Sequence, residues 1–153
     1  MDNHVLTTLE PDPTIWLDNF ISVYQKLTTT NLDLLSNIYH KNVTFIDPMH
    51  QVNGFDNLYL YFNRLYQNLS HCTFIIENCI LENDEAAVYW QMTYQHPKLN
   101  KGHVITIQGS SHIKGKDNKI IYQRDYIDLG AMLYEQLPFF GKVVTWFKNK
   151  AAR

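Results

Sequence analysis

Cysteine is almost missing from this chain: Cys72 and Cys79 are its only two. On one extended strand, seven residues would separate them by roughly 23 Å, far beyond disulfide reach, and their odd offset would send them to opposite faces. They read as reduced thiols, and a cytoplasmic location is expected. A basic excess is missing as well. Thirteen Lys and Arg stand against fifteen Asp and Glu, a formal net charge of -2, so no nucleic-acid partner held through phosphates is expected. No apolar run approaches the length of a membrane span. The start, Met1-Asp2-Asn3-His4, has no basic n-region and no apolar h-region, so no secretory signal is expected. There is no Gly-rich phosphate loop, no Gly-x-Ser-x-Gly and no cysteine-nucleophile motif. Seven histidines are present, but none are paired at i, i+4 and no Cys/His cluster has zinc spacing, so no metal site is expected.

What is there is apolar and aromatic. Hydrophobic residues make up 45% of the 153 positions and aromatics 14%, with only 18% charged. That composition excludes disorder as a description of the whole, and the length suits one domain with a core. Pro11 and Pro13 punctuate an irregular start. Thr14 is a plausible N-cap for a helix carrying Ile15, Trp16, Phe20, Val23, Tyr24 and Leu27 at helical spacing. Thr28-Thr29-Thr30 breaks it. A shorter helix follows on Leu32, Leu34, Leu35 and Ile38, then a short strand, Val43–Ile46, stopped by Pro48. After the Asn53-Gly54 turn, a third helix shows Leu58, Tyr61, Phe62 and Leu65 on one face.

From there the hydrophobic period falls from 3.6 to 2. Extended stretches are expected at about 71–81, 85–95, 103–114 and 119–128, separated by Asn83-Asp84, the loop from Pro97 to Gly102, and Lys116-Asp117-Asn118. The tail from Leu129 turns helical again, with a break near Pro138 and Gly141. Helices first and a meander of strands after them argue for an α+β domain, helices packed on one face of a curved antiparallel sheet, with an added C-terminal helix. A single domain over 1–153 is expected, its core at about 14–128 and its helical tail at 129–153.

The stretch from Asn31 to Gly54, Asn-Leu-Asp-Leu-Leu-Ser-Asn-Ile-Tyr-His-Lys-Asn-Val-Thr-Phe-Ile-Asp-Pro-Met-His-Gln-Val-Asn-Gly, resembles the nuclear transport factor 2-like superfamily, particularly its ketosteroid isomerase and SnoaL-like cyclase branches. The shared pattern is a small helix, a strand ending in Asp-Pro, a loop with Gly and a third helix, and the later strands continue it to about Asp128. The resemblance implies a cone-shaped roll of three helices against a strongly bent sheet, with a deep apolar pocket between them. The superfamily hosts isomerases, cyclases, dehydratases, epoxide hydrolases and pure binding modules, so function rests on the site.

Two carboxylates stand out against that background. Val43, Phe45 and Asp47 share one strand face, which puts Asp47 in the pocket-facing row, where apolar walls would tune a general base. It matches the general base of ketosteroid isomerase; an Asp before Pro also caps turns. Asp125 shares the pocket-facing side of the last strand with Gln123 and Ile127, where SnoaL-like cyclases place an acid/base Asp; a structural ion pair is the competing reading. Val88, Trp90, Met92 and Tyr94 form one face of a central strand and would line the pocket wall, or simply pack the core. Phe20 and Phe45 join the same apolar lining. Aligning His112 puts Ser111 where ketosteroid isomerase keeps a protonated Asp, and Tyr24 falls one residue out of register from that family's tyrosine donor. Those departures count against steroid isomerase activity itself. His50, in the loop after Asp47, could reach the pocket mouth or simply stay solvated.

The tail from Phe139 holds four basic residues, Lys142, Lys148, Lys150 and Arg153, and no acidic one. As a helix it would pack over the pocket or the sheet edge, form a dimer contact, or make a weak membrane-surface contact. Two functions compete. One is a cofactor-free isomerase or cyclase acting on a small apolar carbonyl compound, with Asp47 as base, Asp125 returning the proton, and Tyr24 or Ser111 at the enolate oxygen; no cofactor is needed because the carbonyl is the electron sink. The other is a hydrophobic-ligand-binding or dimerisation module. A homodimer is expected in either case.

Overall fold

The computed structural model describes Asp12 and residues 14–151. The expected irregular start at Pro11 and Pro13, and Arg153 of the basic tail, lie outside the described residues. Helix α1 (Ile15–Lys26) turns Trp16, Leu17, Phe20 and Tyr24 inward. Thr14 does not cap it with its hydroxyl. The Asp12 carboxylate instead accepts from the Thr14 amide at 2.9 Å and its hydroxyl at 2.7 Å, since an Asp two residues upstream reaches both donors. The segment Leu32–Asn37 is a 3-10 turn rather than an α-helix.

Strand β1 (Tyr39–Ile46) starts four residues earlier than the β-branched run announces. A short β2 (Gln51–Asn53) pairs back on it, and α2 (Phe55–Tyr66) follows. Gly54 takes φ of +82° at that junction and its amide bonds the Val43 carbonyl at 2.8 Å; a side chain would be strained there. The meander then runs β3 (His71–Glu82), β4 (Glu85–Gln95), β5 (Ile105–Lys116) and β6 (Lys119–Ile127). Asp117 and Asn118, both at positive φ, close the two-residue β5–β6 hairpin. Helices α3 (Leu129–Met132) and α4 (Phe140–Ala151) end the described chain.

The sheet order is β2-β1-β6-β5-β4-β3, and helices pack on this curved sheet in an α+β arrangement. It is mixed, not purely antiparallel: β6 returns beside β1 in the same direction. With β2 occupying one edge of β1, the last strand of the meander is left to fill the other. A second departure comes from a bulge between Ile76 and Asn78. The extra residue resets the alternation. Cys79 pairs with Val88 and Cys72 with Tyr94, two residues of one β4 face, so both cysteines point to the same side. Both thiols are free. No helix of the described residues is long and apolar enough to cross a membrane.

Candidate functional site

Between the helices and the concave face of the sheet lies a hollow of about 470 Å³. Tyr24, Phe45, Asp47, Trp90, Met92, Tyr94, Ser111, Asp125 and Ile127 all line it, from five different elements and the turn after β1. Phe20 does not. It is 1% exposed and stacks behind Tyr24 with ring centroids 4.4 Å apart, because its place on α1, one turn before Tyr24, faces the packed core. His50 is exposed and stays outside the lining, its Nδ1 3.3 Å from the Tyr61 hydroxyl.

The polar floor is built around Asp125. Its Oδ1 accepts from the Ser111 hydroxyl at 2.6 Å and from Gln123 Nε2 at 2.8 Å. Ser111 in turn accepts from the Trp90 indole N–H at 2.9 Å. Gln123, fully buried, takes the Tyr39 hydroxyl on its Oε1 at 2.6 Å. Tyr39 spends its one proton there, so in its 2.6 Å contact with Tyr24 the donor is Tyr24. Two relays therefore converge on Asp125, one from Trp90 through Ser111 and one from Tyr24 through Tyr39 and Gln123, and both end on Oδ1, while Gln123 Nε2 also reaches back to the Tyr24 hydroxyl at 3.5 Å. Among the described residues no donor reaches Oδ2.

Burial pushes the Asp125 carboxyl up to about 6. The Ser111 and Gln123 hydrogen bonds pull the other way, and the neighbouring Asp47 charge adds to the rise. Burial, with the Asp125 charge second, also holds Tyr24 well above its ordinary value, so it stays a neutral donor. In this arrangement the Tyr24 hydroxyl donates to Tyr39 and the Ser111 hydroxyl to Asp125.

Asp47 is held differently. It is half-buried just past the end of β1. Oδ1 accepts the amides of Met49 and His50, each at 2.8 Å, which is the turn-capping role; Oδ2 accepts the Tyr61 hydroxyl at 2.5 Å. Burial and the Asp47 bond drive the Tyr61 hydroxyl far up, so the donor keeps its proton. Both Asp47 oxygens are thus engaged, by two amides and one hydroxyl. Tyr39, Tyr61 and Gln123 were not singled out from sequence. The available signals are Gln123, two residues from Asp125 on one strand face, and Tyr61, on the apolar face of the third helix; Tyr39 carries none.

Above the floor the walls are Phe62, Tyr66, Phe74, Met92 and Tyr94, and the rim carries Arg64, His96 and Lys98 with Met132, Leu133 and Leu137. The Tyr94 hydroxyl donates to the Met132 carbonyl, tying β4 to the segment after β6. Among the described residues no group of three or more His, Cys, Asp or Glu could hold a metal ion.

An α+β roll with an apolar hollow and a carboxylate pair at its floor defines the class of protein. Residues 20–123 match the sequence profile of the SnoaL-like domain, and the chain belongs to that family, within the nuclear transport factor 2-like superfamily. No curated protein matches the sequence. Solved structures give the same fold. A candidate SnoaL-like polyketide cyclase from Jannaschia sp. CCS1 superposes with a TM-score of 0.68 at 15% identity, over 82% of this chain and 93% of that one. TerC, co-crystallised with polyporic acid, gives 0.67 at 13% identity over 79% and 95%. An LEH-like epoxide hydrolase from M. tuberculosis gives 0.64 at 12% identity over 81% and 86%. At these identities the likeness is one of fold.

Proposed function

We propose that this protein is a cofactor-free acid/base enzyme of the isomerase or cyclase type, acting on a small, largely apolar carbonyl compound. The observation that carries the reading is Asp125: a carboxyl raised to about 6, with one oxygen fixed by two donors and the other left to an apolar hollow. Oδ2 takes a proton from the carbon beside the carbonyl, the electrons move to the carbonyl oxygen, and the carboxylic acid returns the proton elsewhere on the same framework. Burial keeps Asp125 basic, and Asp47, fastened by Tyr61, adds a smaller share. Gln123 cannot pass a proton through its amide, so Asp125 exchanges only with what the hollow contains. The polyporic acid held by TerC is the kind of unsaturated ring compound that suits such a hollow. A second copy of the chain and a reducing, cytoplasmic setting belong to the same reading, the latter supported by the two free thiols.

A panel of cyclic β,γ-unsaturated ketones, followed by the ultraviolet absorbance of the conjugated product, tests it. Turnover should follow a basic limb near pH 6, and Asp125→Asn should lower it about 10²–10⁴-fold. An Asp125→Asn variant that turns over like the parent would overturn the mechanism. The competing reading is a ligand-binding module without chemistry, favoured by the committed protons of Tyr24 and Ser111. It predicts tight binding of the same ketones with no conversion.

A further inference from the structure

Helix α4 is turned inside out for a globular protein. It meets the body through Gly141, so close to the Glu135 carbonyl that no Cβ fits there, and through Lys148, held between Glu135 and Asp128. At 3.6 residues per turn the apolar stripe lies on the opposite side. Phe140, Val143, Trp146 and Phe147, with Phe139 just before the helix, are between 40% and 75% exposed. A helix with its polar side inward and its aromatic side to solvent has a partner still to meet.

Charge says which partner. The protein is net negative, yet this end of it is basic. Lys142 and Lys150 sit on α4, Lys150 over the Trp146 ring at 4.8 Å. Lys101 shares a shallow cleft with Trp146 and Lys142, and Arg64 and Lys98 stand on the rim of the hollow. None of these five makes an ion pair among the described residues. Glu135 and Asp128, the nearby acids, are both taken by Lys148. A second copy fits poorly. Antiparallel self-pairing of α4 would bring Lys142 toward the partner's Lys150, with no acid on the helix to separate them.

We propose that α4 and the adjoining rim dock on an anionic lipid surface, the aromatic stripe entering the headgroup region and the five cations facing the charge. Leu133 and Leu137, which line the hollow, lie just before α4, so docking sets the mouth against the lipid, where a greasy ligand can enter without crossing water. The inference stands independently of any chemistry inside the hollow.

The test uses the full chain with phosphatidylcholine vesicles, with and without phosphatidylserine. Co-sedimentation measures binding, and tryptophan emission reports Trp146, since Trp16 and Trp90 are buried. Expected are binding to the serine-lipid vesicles with a blue shift, and release as salt rises. The pair Trp146→Ser with Phe147→Ser should abolish binding, and Lys142→Gln with Lys150→Gln should weaken it by about fivefold per lysine. All four side chains are exposed, so an unchanged melting temperature certifies the fold of each variant. Equal binding to both vesicle types, or none, overturns the proposal. So does a concentration-dependent dimer in sedimentation velocity that the Trp146→Ser, Phe147→Ser variant dissolves, which would assign the face to a second copy.

Discussion

At the scale of the residue, Asp125 is a carboxyl that the fold holds in its less favoured surroundings. Its folded carboxyl sits at about 6 against an ordinary 3.8. The folded protein therefore holds that proton more tightly than the unfolded chain does. The advantage is complete below about 3.8 and is lost as pH rises through about 6, so at neutral pH an ionised Asp125 works against the fold. Asn in its place keeps the acceptor that Ser111 and Gln123 bond and removes the charge. Asp125→Asn should raise unfolding free energy by about 1–3 kcal/mol well above pH 6, and by little near pH 4. Urea denaturation at the two pH values reads the difference; equal gains at both would mean the charge is not the cause. Both acids could be found in the sequence because each interrupts an apolar alternation. Tyr39 could not, since its partner Gln123 lies 84 positions away, and no local period encodes a contact of that span. Tyr61 shows on the apolar face of its helix, but its bond to Asp47 depends on α2 lying over the turn after β1.

At the scale of the element, local rules carried far, and two of their failures have a clear physical cause. The helical period placed α1 and α2, and the period of two placed the four meander strands within a few residues. The bulge between Ile76 and Asn78 defeated the parity argument for Cys79, because one inserted residue inverts every face after it. The parallel pairing of β1 with β6 is a property of two distant segments and has no signature in either. Strand β5 makes a sharper demand. Gly109 lies opposite Trp90, and an added Cβ would stand 2.6 Å from the indole Cζ2. Trp90 is buried and bonded to Ser111, so it cannot yield without loosening the support of Asp125. Gly109→Ala should cost about 1–3 kcal/mol, measurable as a lowered denaturation midpoint, and should weaken turnover along with it. A variant as stable as the parent would mean the indole has room to swing aside.

At the scale of the whole molecule, the tail and the body are separable. Helix α4 touches chiefly Tyr134–Gln136, and Lys148 reaches its two acids at the surface, where such pairs contribute about 0–1 kcal/mol. A chain ended after Pro138 should unfold within about 1 kcal/mol of the full one, as denaturant titration would record, while losing vesicle binding. A large drop would show that α4 holds the hollow together. The sheet sets a different kind of order. Its final strand, β6, stands in the interior between β1 and β5, and carries Gln123 and Asp125. On the ribosome, β1 must wait with one edge bare until some eighty further residues have emerged, a long-range closure that slows folding and leaves the nascent chain open to aggregation. The sheet thus closes only once its last strand has been made, and that strand carries Asp125 into the floor of the hollow.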